Sequence, residues 1–194
     1  MGKPYLGEWM SATATKITAD EYYGQTVIGD RKQLVEGEIV VNEPKLIHAE
    51  LQARLLFALR SWTQAAPGRG HAFLPTDVRI NEHNVYGPDM LWFRDGRVPT
   101  DLDAYPDDLP DLCVEIRSQS TWRFDIGAKK RVYEAAGLPE LWLIDDAAET
   151  VLAYRRSAPA ATTFDIATEF GRDEVLRSPM LDGFSLGVEE LFAR

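Results

Sequence analysis

Two carboxylates stand where carboxylates are costly. Glu115 lies inside the apolar run Leu112-Cys113-Val114-Glu115-Ile116, and Asp89 follows Pro88 and opens Met90-Leu91-Trp92-Phe93. Short apolar runs of this kind are strands covered on both faces. A carboxylate buried in one needs a cation or a metal beside it. If the two strands are neighbours, Asp89 and Glu115 project from one sheet face toward one point, where they repel unless something positive lies between them. A hard divalent cation such as Mg²⁺, held by a few carboxylates together with waters and a substrate phosphate, meets that requirement. The competing reading gives each carboxylate its own Arg or Lys.

A third group follows at helical spacing. Asp125, Lys129 and Tyr133 stand at i, i+4 and i+8, a polar stripe that drifts only about 40° per step on an α-helix. Packed back across the sheet, that helix brings Lys129 to the carboxylates; otherwise Asp125–Lys129 is an ordinary surface pair. Other chemistries find no support. There is no phosphate-cradling glycine loop and no zinc-binding H-E-x-x-H, and His48, His71 and His83 show no metal-ligand spacing. The single cysteine, Cys113, reads as a small buried thiol rather than a nucleophile, and it excludes an internal disulfide.

The elements that must position these groups can be read in order. Thr18-Ala19-Asp20-Glu21 has the form of a capping box and predicts a helix over 19–24. Gln33–Val35 and Ile39–Val41 flank Glu36-Gly37 as a hairpin, with Gly37 supplying a positive φ. Ile47, Leu51, Leu55, Leu59 and Trp62 predict a helix over 46–65, ending before Pro67-Gly68. Three strands are expected at His71–Ile80, Val85–Phe93 and Leu112–Ile116, with an acidic, proline-bearing loop over 94–110 that is long enough to be functional. A helix over 122–136, stopped by Gly137 and Pro139, leads to a hairpin of Glu140–Ile144 with Thr150–Arg155. Weaker strands near 163–168 and 179–186 and a terminal helical turn at 188–192 complete the chain. The centre reads α-β-β-β-α-β, an α/β fold with a mixed sheet, an N-terminal hairpin and C-terminal strand additions.

The 194 residues suit one domain, 1–194, and a 45% hydrophobic, 27% charged composition is that of an ordinary globular chain. Residues 1–16 read as a poorly ordered extension. No apolar run reaches the ~18 residues of a spanning helix, so no membrane partner is expected. Lacking a signal core, the chain is expected in the cytoplasm. A net charge of −10 repels polyphosphates at long range. Its distribution matters more: six acids and no base from Asp101 to Glu115 give way to five bases against one acid from Arg117 to Arg131.

Pro88-Asp89, the run Pro110–Ile116, Ser118-x-Ser120-Thr121 with Asp125, Lys129 and Tyr133 at four-residue steps, and Gly137–Asp145 occur in one order. This set resembles the putative restriction endonuclease family of bacteria, abundant in cyanobacteria, within the PD-(D/E)XK nuclease superfamily. The resemblance extends to Gly37-Glu38-Ile39-Val40 and His48 upstream and to Ser178-Pro179 and Gly183–Leu186 downstream, and so covers roughly 30–192. It implies a restriction-endonuclease-like core. Asp89 and Glu115 match the family's metal-binding carboxylates, Lys129 matches its lysine, moved from the strand to the following helix, and Glu38 matches an additional acidic position. Three residues depart from the pattern. Arg117 stands where the superfamily lysine usually falls, Gln119 replaces a frequent proline, and Gly87 replaces a frequent glutamine.

The resemblance implies Mg²⁺, with Mn²⁺ as substitute, held by Asp89, Glu115 and the Ile116 carbonyl, with Glu38 as the additional acidic position that would complete the site. Such an ion polarises a scissile phosphate and acidifies a bound water, while Lys129 orients that water or stabilises developing charge. Arg117, Ser118, Arg123, Lys130 and Tyr133 are the expected substrate contacts, with Asp125 and His48 in support. The expected activity is endonucleolytic hydrolysis of DNA by a homodimer, with RNA as an alternative substrate. A non-catalytic binding module that keeps the fold is the competing class, favoured by the net charge and by the absence of a separate DNA-reading domain. The aromatic residues Trp92, Phe93, Trp122, Phe124 and Tyr133 read as core rather than as a stacking platform.

Overall fold

A computed structural model describes residues 16–27 and 31–193. The expected N-terminal extension, apart from Lys16, lies outside the described residues. Thr18 and Glu21 exchange both bonds of the capping box and start α1 (Ala19–Gln25). The hairpin of β1 (Lys32–Val35) and β2 (Glu38–Val41) turns on Glu36 and Gly37, at φ 51° and 82°. Both central residues of this tight turn are left-handed, the geometry that matches strand twist. α2 (Leu46–Ala65) buries Leu51, Leu55, Leu59 and Trp62, the face that the apolar spacing predicts.

The next two expected strands each divide. β3 (His71–Phe73) and β4 (Val78–Asn81) are separated at Pro75, and β5 (Asn84–Tyr86) and β6 (Met90–Phe93) at Gly87-Pro88. Proline offers no ladder donor, so the chain leaves one sheet there and enters another. β4 and β5 join the hairpin in an antiparallel sheet of order β2-β1-β5-β4. β3 and β6 join a six-stranded sheet of order β10-β9-β8-β7-β6-β3, with β7 (Leu112–Ile116), β8 (Glu140–Asp145), β9 (Thr150–Arg155) and β10 (Ile166–Phe170). β7 and β8 are parallel and the other pairs antiparallel, so the sheet is mixed, as expected.

The crossover from β7 to β8 is one continuous helix: α3 (Trp122–Phe124), a π-helical turn over Asp125–Lys129, and α4 (Lys130–Ala135). In place of the strand expected near 179–186 there is a small ribbon of β11 (Val175–Leu176) and β12 (Leu186–Gly187), and α5 (Val188–Leu191) follows it.

The central sheet divides its side chains between two cores. Met90, Trp92, Leu112, Val114, Ile116 and Trp142 pack beneath α2 and the C-terminal segment. Cys113, Leu141 and Leu143 pack with Tyr133 of α4, and with Val35 and Tyr86 of the smaller sheet. Trp92, Phe93 and Tyr133 are buried, and Trp122 and Phe124 pack against this second core, which is the core role expected of these aromatics. Gly87-Pro88-Asp89 is thus the seam where the chain passes between the two sheets.

Candidate active site

β6 and β7 pair antiparallel with Met90 opposite Val114, and one step further the same register sets Asp89 opposite Glu115. The alternation of β7 puts Glu115 on the face shared with Cys113, under the crossover helix. That helix carries Asp125, Lys129 and Tyr133, and all three are buried. Four-residue steps would drift around a regular α-helix. The wider π turn rotates each residue less and counters the drift, so the stripe stays aimed at the sheet.

The result is a continuous buried polar chain. Ser118 Oγ lies 2.7 Å from Thr121 Oγ1, and the Thr121 hydroxyl donates to Asp125 Oδ2 at 3.0 Å. Lys129 Nζ stands 2.8 Å from Asp125 Oδ1 and 3.0 Å from Glu115 Oε2. Tyr133 donates its hydroxyl to Glu115 Oε1 at 2.9 Å. Asp89 Oδ2 accepts the Ile116 backbone N–H at 2.7 Å and has His48 Nε2 at 3.1 Å. Gln52 Nε2 donates to the Asp89 carbonyl at 2.7 Å.

The charges do not cancel. Glu115 and Asp125 share one ammonium, and Asp89 lies near enough for its charge to raise both carboxyls. Burial pushes the Glu115 carboxyl up to about 8 against the pull of Lys129, and the charges of Asp125 and Asp89 add to the push. Burial also raises Asp125, opposed by Lys129 and by the Thr121 hydroxyl. For Lys129, burial favours the neutral amine, but the two carboxylates outweigh it and hold the ammonium above the ordinary lysine range. Lys129 is therefore locked as a cation and is unsuited to accept a proton.

This donor set suits a hard cation. Asp89 and Glu115 stand at opposed register positions of adjacent strands, and with both ionised the three carboxylates Asp89, Glu115 and Asp125 outnumber the one ammonium of Lys129. No group of three His, Cys, Asp or Glu with metal-holding geometry occurs among the described residues. Mg²⁺ does not require one, because it is commonly held by one or two carboxylates plus substrate phosphate.

Of the other expected site residues, Tyr133 and His48 touch Glu115 and Asp89 directly, and the rest lie apart from both carboxylates. Ser118 and Tyr133 are inside the buried chain, where Ser118 meets Thr121, the donor to Asp125, and Tyr133 holds Glu115. Arg117 is engaged with Asp145 at 2.8 Å and lies over the Trp122 ring. Arg123 lies over Phe124, and Lys130 over Tyr154 and Phe164. Glu38 is exposed on β2, opposite Val35, with no contact to Asp89 or Glu115 among the described residues.

A cleft of about 670 Å³ opens beside the site, lined by Asp89 with its neighbours His48 and Gln52, whereas Glu115, Asp125, Lys129 and Tyr133 do not line it. Its basic residues are Arg31, Lys32 and Lys45, set against Asp77 and Asp89. Sequence reasoning did not find this wall, because the bases are scattered and meet only when the hairpin folds over the seam. It also missed Thr121 and Gln52. Gln52 was open to detection: with His48 it is one of two polar residues four apart beside the buried face of α2.

The profile of a family described as putative restriction endonuclease (Uma2) matches residues 20–189 of the chain. Among solved structures, the chain resembles a putative nuclease belonging to DUF820 from Anabaena variabilis, with a TM-score of 0.74 and 21% sequence identity over 91% of this chain and 98% of that one. No curated protein matches the chain. No helix among the described residues is long and apolar enough to cross a membrane.

Proposed function

Since the chain belongs to the Uma2 family of putative restriction endonucleases, we propose that it is a metal-dependent endonuclease that hydrolyses phosphodiester bonds in DNA. Its centre is Asp89, Glu115 and Lys129. The observation that carries this reading is the opposition of Asp89 and Glu115 at adjacent strand ends, with a buried, permanently charged lysine against Glu115. Asp89, Glu115 and the Ile116 carbonyl would hold Mg²⁺, or Mn²⁺ in its place. When bound, such an ion polarises the scissile phosphate and lowers the pKa of a water.

The chain's own residues do the rest. His48, Gln52 and the Ile116 N–H fix Asp89 at the floor of the cleft. Tyr133 orients Glu115. Lys129 supplies fixed positive charge in a dry site, where it counts for most against the charge that develops on phosphate oxygens. Arg31, Lys32 and Lys45 give a polyanion a local attraction that the net charge of −10 denies it at long range. Association as a homodimer through the hairpin, in the cytoplasm, belongs to the same proposal. The exposed Ile39 and Val41 on the edge strand β2 support the dimer.

The test is calorimetric titration of Mn²⁺ into the wild type, Asp89→Ala and Glu115→Ala, followed by plasmid cleavage with Lys129→Ala as control. The expected result is binding that both carboxylate substitutions abolish and cleavage that Lys129→Ala abolishes. Binding that survives both substitutions would overturn the assignment.

A further inference from the structure

The cleft wall contains two polar atoms that the proposed hydrolysis does not use. Gln33 is 5% exposed and lines the cleft, and its Nε2 is committed to the Gly87 carbonyl at 3.5 Å. Its Oε1 is buried without a hydrogen-bond partner, and so is Oδ1 of Asn42, which lines the same cleft. A buried amide oxygen left unpaired costs free energy. Turning the Gln33 amide over would set oxygen against the Gly87 oxygen, so the Gly87 carbonyl favours this orientation.

The hairpin register explains why these atoms come together. Gln33 pairs with Val40, and Asn42 donates its N–H to the Arg31 carbonyl, so Arg31, Gln33, Val40 and Asn42 share one face of the hairpin. Gln33 and Asn42 are diagonal neighbours on it, about 7 Å apart. Val40 on that face packs against the core of Tyr86 and Tyr133, so the face is turned toward the site. At the cleft, Tyr105 from the 94–110 loop stacks on Tyr23 at 5.1 Å and 28° and leaves 49% of its surface exposed.

Two oriented acceptors ask for a ligand with donors. At these two oxygens a hard cation is disfavoured, because both are neutral amides on the hairpin wall that also carries Arg31 and Lys32, while the cleft's carboxylates, Asp77 and Asp89, come from outside the hairpin. An exposed aromatic face, acceptors and basic residues together fit a nucleotide, and the volume admits one. We propose that this cleft is a base-reading subsite that takes an unpaired nucleobase bearing an exocyclic amino group, with Gln33 Oε1 and Asn42 Oδ1 accepting from it and Tyr105 stacking on it. The subsite rests on the nuclease reading and adds a preference to it. Adenine and cytosine offer both amino hydrogens to the two acceptors, whereas thymine and uracil set an oxygen there and offer only the single N3–H beside it.

The experiment compares single-stranded deoxycytidine and deoxyuridine decamers by fluorescence anisotropy in Ca²⁺, on wild type, Gln33→Met and Asn42→Ala, with a mixed-sequence duplex alongside. Cytosine and uracil differ at this edge by amino against oxo at C4 and by a bare N3 against N3–H, so uracil offers one donor hydrogen where cytosine offers two. The wild type should bind the cytidine strand about three- to tenfold tighter, the worth of one or two net hydrogen bonds. Gln33→Met should remove most of that preference, read as the ratio of the two affinities. Equal binding of the two strands by the wild type, or tighter binding of deoxyuridine, overturns the subsite and leaves the nuclease reading standing, and it needs no variant to fold. A preference that persists in both variants overturns the assignment to Gln33 and Asn42. Binding of the duplex but of neither strand overturns an unpaired-base pocket. Binding of no nucleic acid overturns the nuclease reading itself.

Discussion

Replacing Lys129 by Met keeps the length of the side chain and deletes its charge. The ammonium lies 2.8 Å from Asp125 and 3.0 Å from Glu115, and all three side chains are at most 3% exposed. Removing one member of a buried ion cluster strands the others, at a cost of about 3–5 kcal/mol. For a chain of this length that corresponds to a fall in Tm of roughly 6–20 °C. The cost must also depend on pH in one direction. Glu115 already titrates at about 8 with Lys129 in place. Without the lysine its folded pKa, and that of Asp125, rises further above the unfolded value. A carboxyl raised in the folded state contributes stability that is fully present below its unfolded pKa and is lost as pH rises through the folded one. The loss caused by Lys129→Met is therefore smallest near pH 5, where the variant keeps both acids protonated, and largest near pH 9, where the wild type ionises them against the ammonium. Urea unfolding of the two proteins from pH 5 to 9 reads this directly. Pairing the change with Glu115→Gln should recover part of the loss at pH 9. A difference that is flat with pH, or larger at pH 5, would refute the electrostatic account of the cluster.

Two further outcomes test the parts of the fold that hold the site. Glu140 is buried with Trp142 Nε1 donating to Oε1 and Ser178 Oγ to Oε2, and burial raises its pKa; Glu140→Gln should therefore gain stability relative to wild type as pH rises above about 4.5, measured by urea unfolding. Asp111 is fully buried between the Arg94 and Arg97 guanidinium groups, each 2.6 Å away. Asp111→Asn should cost about 1–3 kcal/mol and speed hydrogen exchange in the 94–110 loop, since the carboxylate ties both ends of that loop together.

Much of this was legible because local chemistry and final surroundings agree. The Thr18–Glu21 box, the Glu36-Gly37 turn and the apolar face of α2 each depend on residues within a few positions of one another. Glu115 was conspicuous for a related reason, since a carboxylate in an apolar run announces a partner. The strands around Pro75 and Pro88 were not legible as four. Apolar content continues across each break, and only the pairing decides which sheet a segment joins. The basic stretch from Arg117 to Arg131 shows the same limit: adjacent in sequence, its members turn to Asp145, to aromatic rings and into the buried chain.

The sequence by itself determined the local elements, the capped helix, the hairpin turn and the buried face of α2, and singled out Glu115, because helix caps, turn residues and a misplaced carboxylate are recorded in near neighbours. Tertiary structure decided what those groups face. Asp89 meets Glu115 through strand register, Lys129 is aimed by a π turn that no spacing announces, and the cleft wall of Arg31, Gln33, Asn42 and Tyr105 exists only because a hairpin and a distant loop fold over the seam between two sheets. Contacts between residues far apart in the chain are set by packing and pairing of whole elements, and no local pattern encodes them.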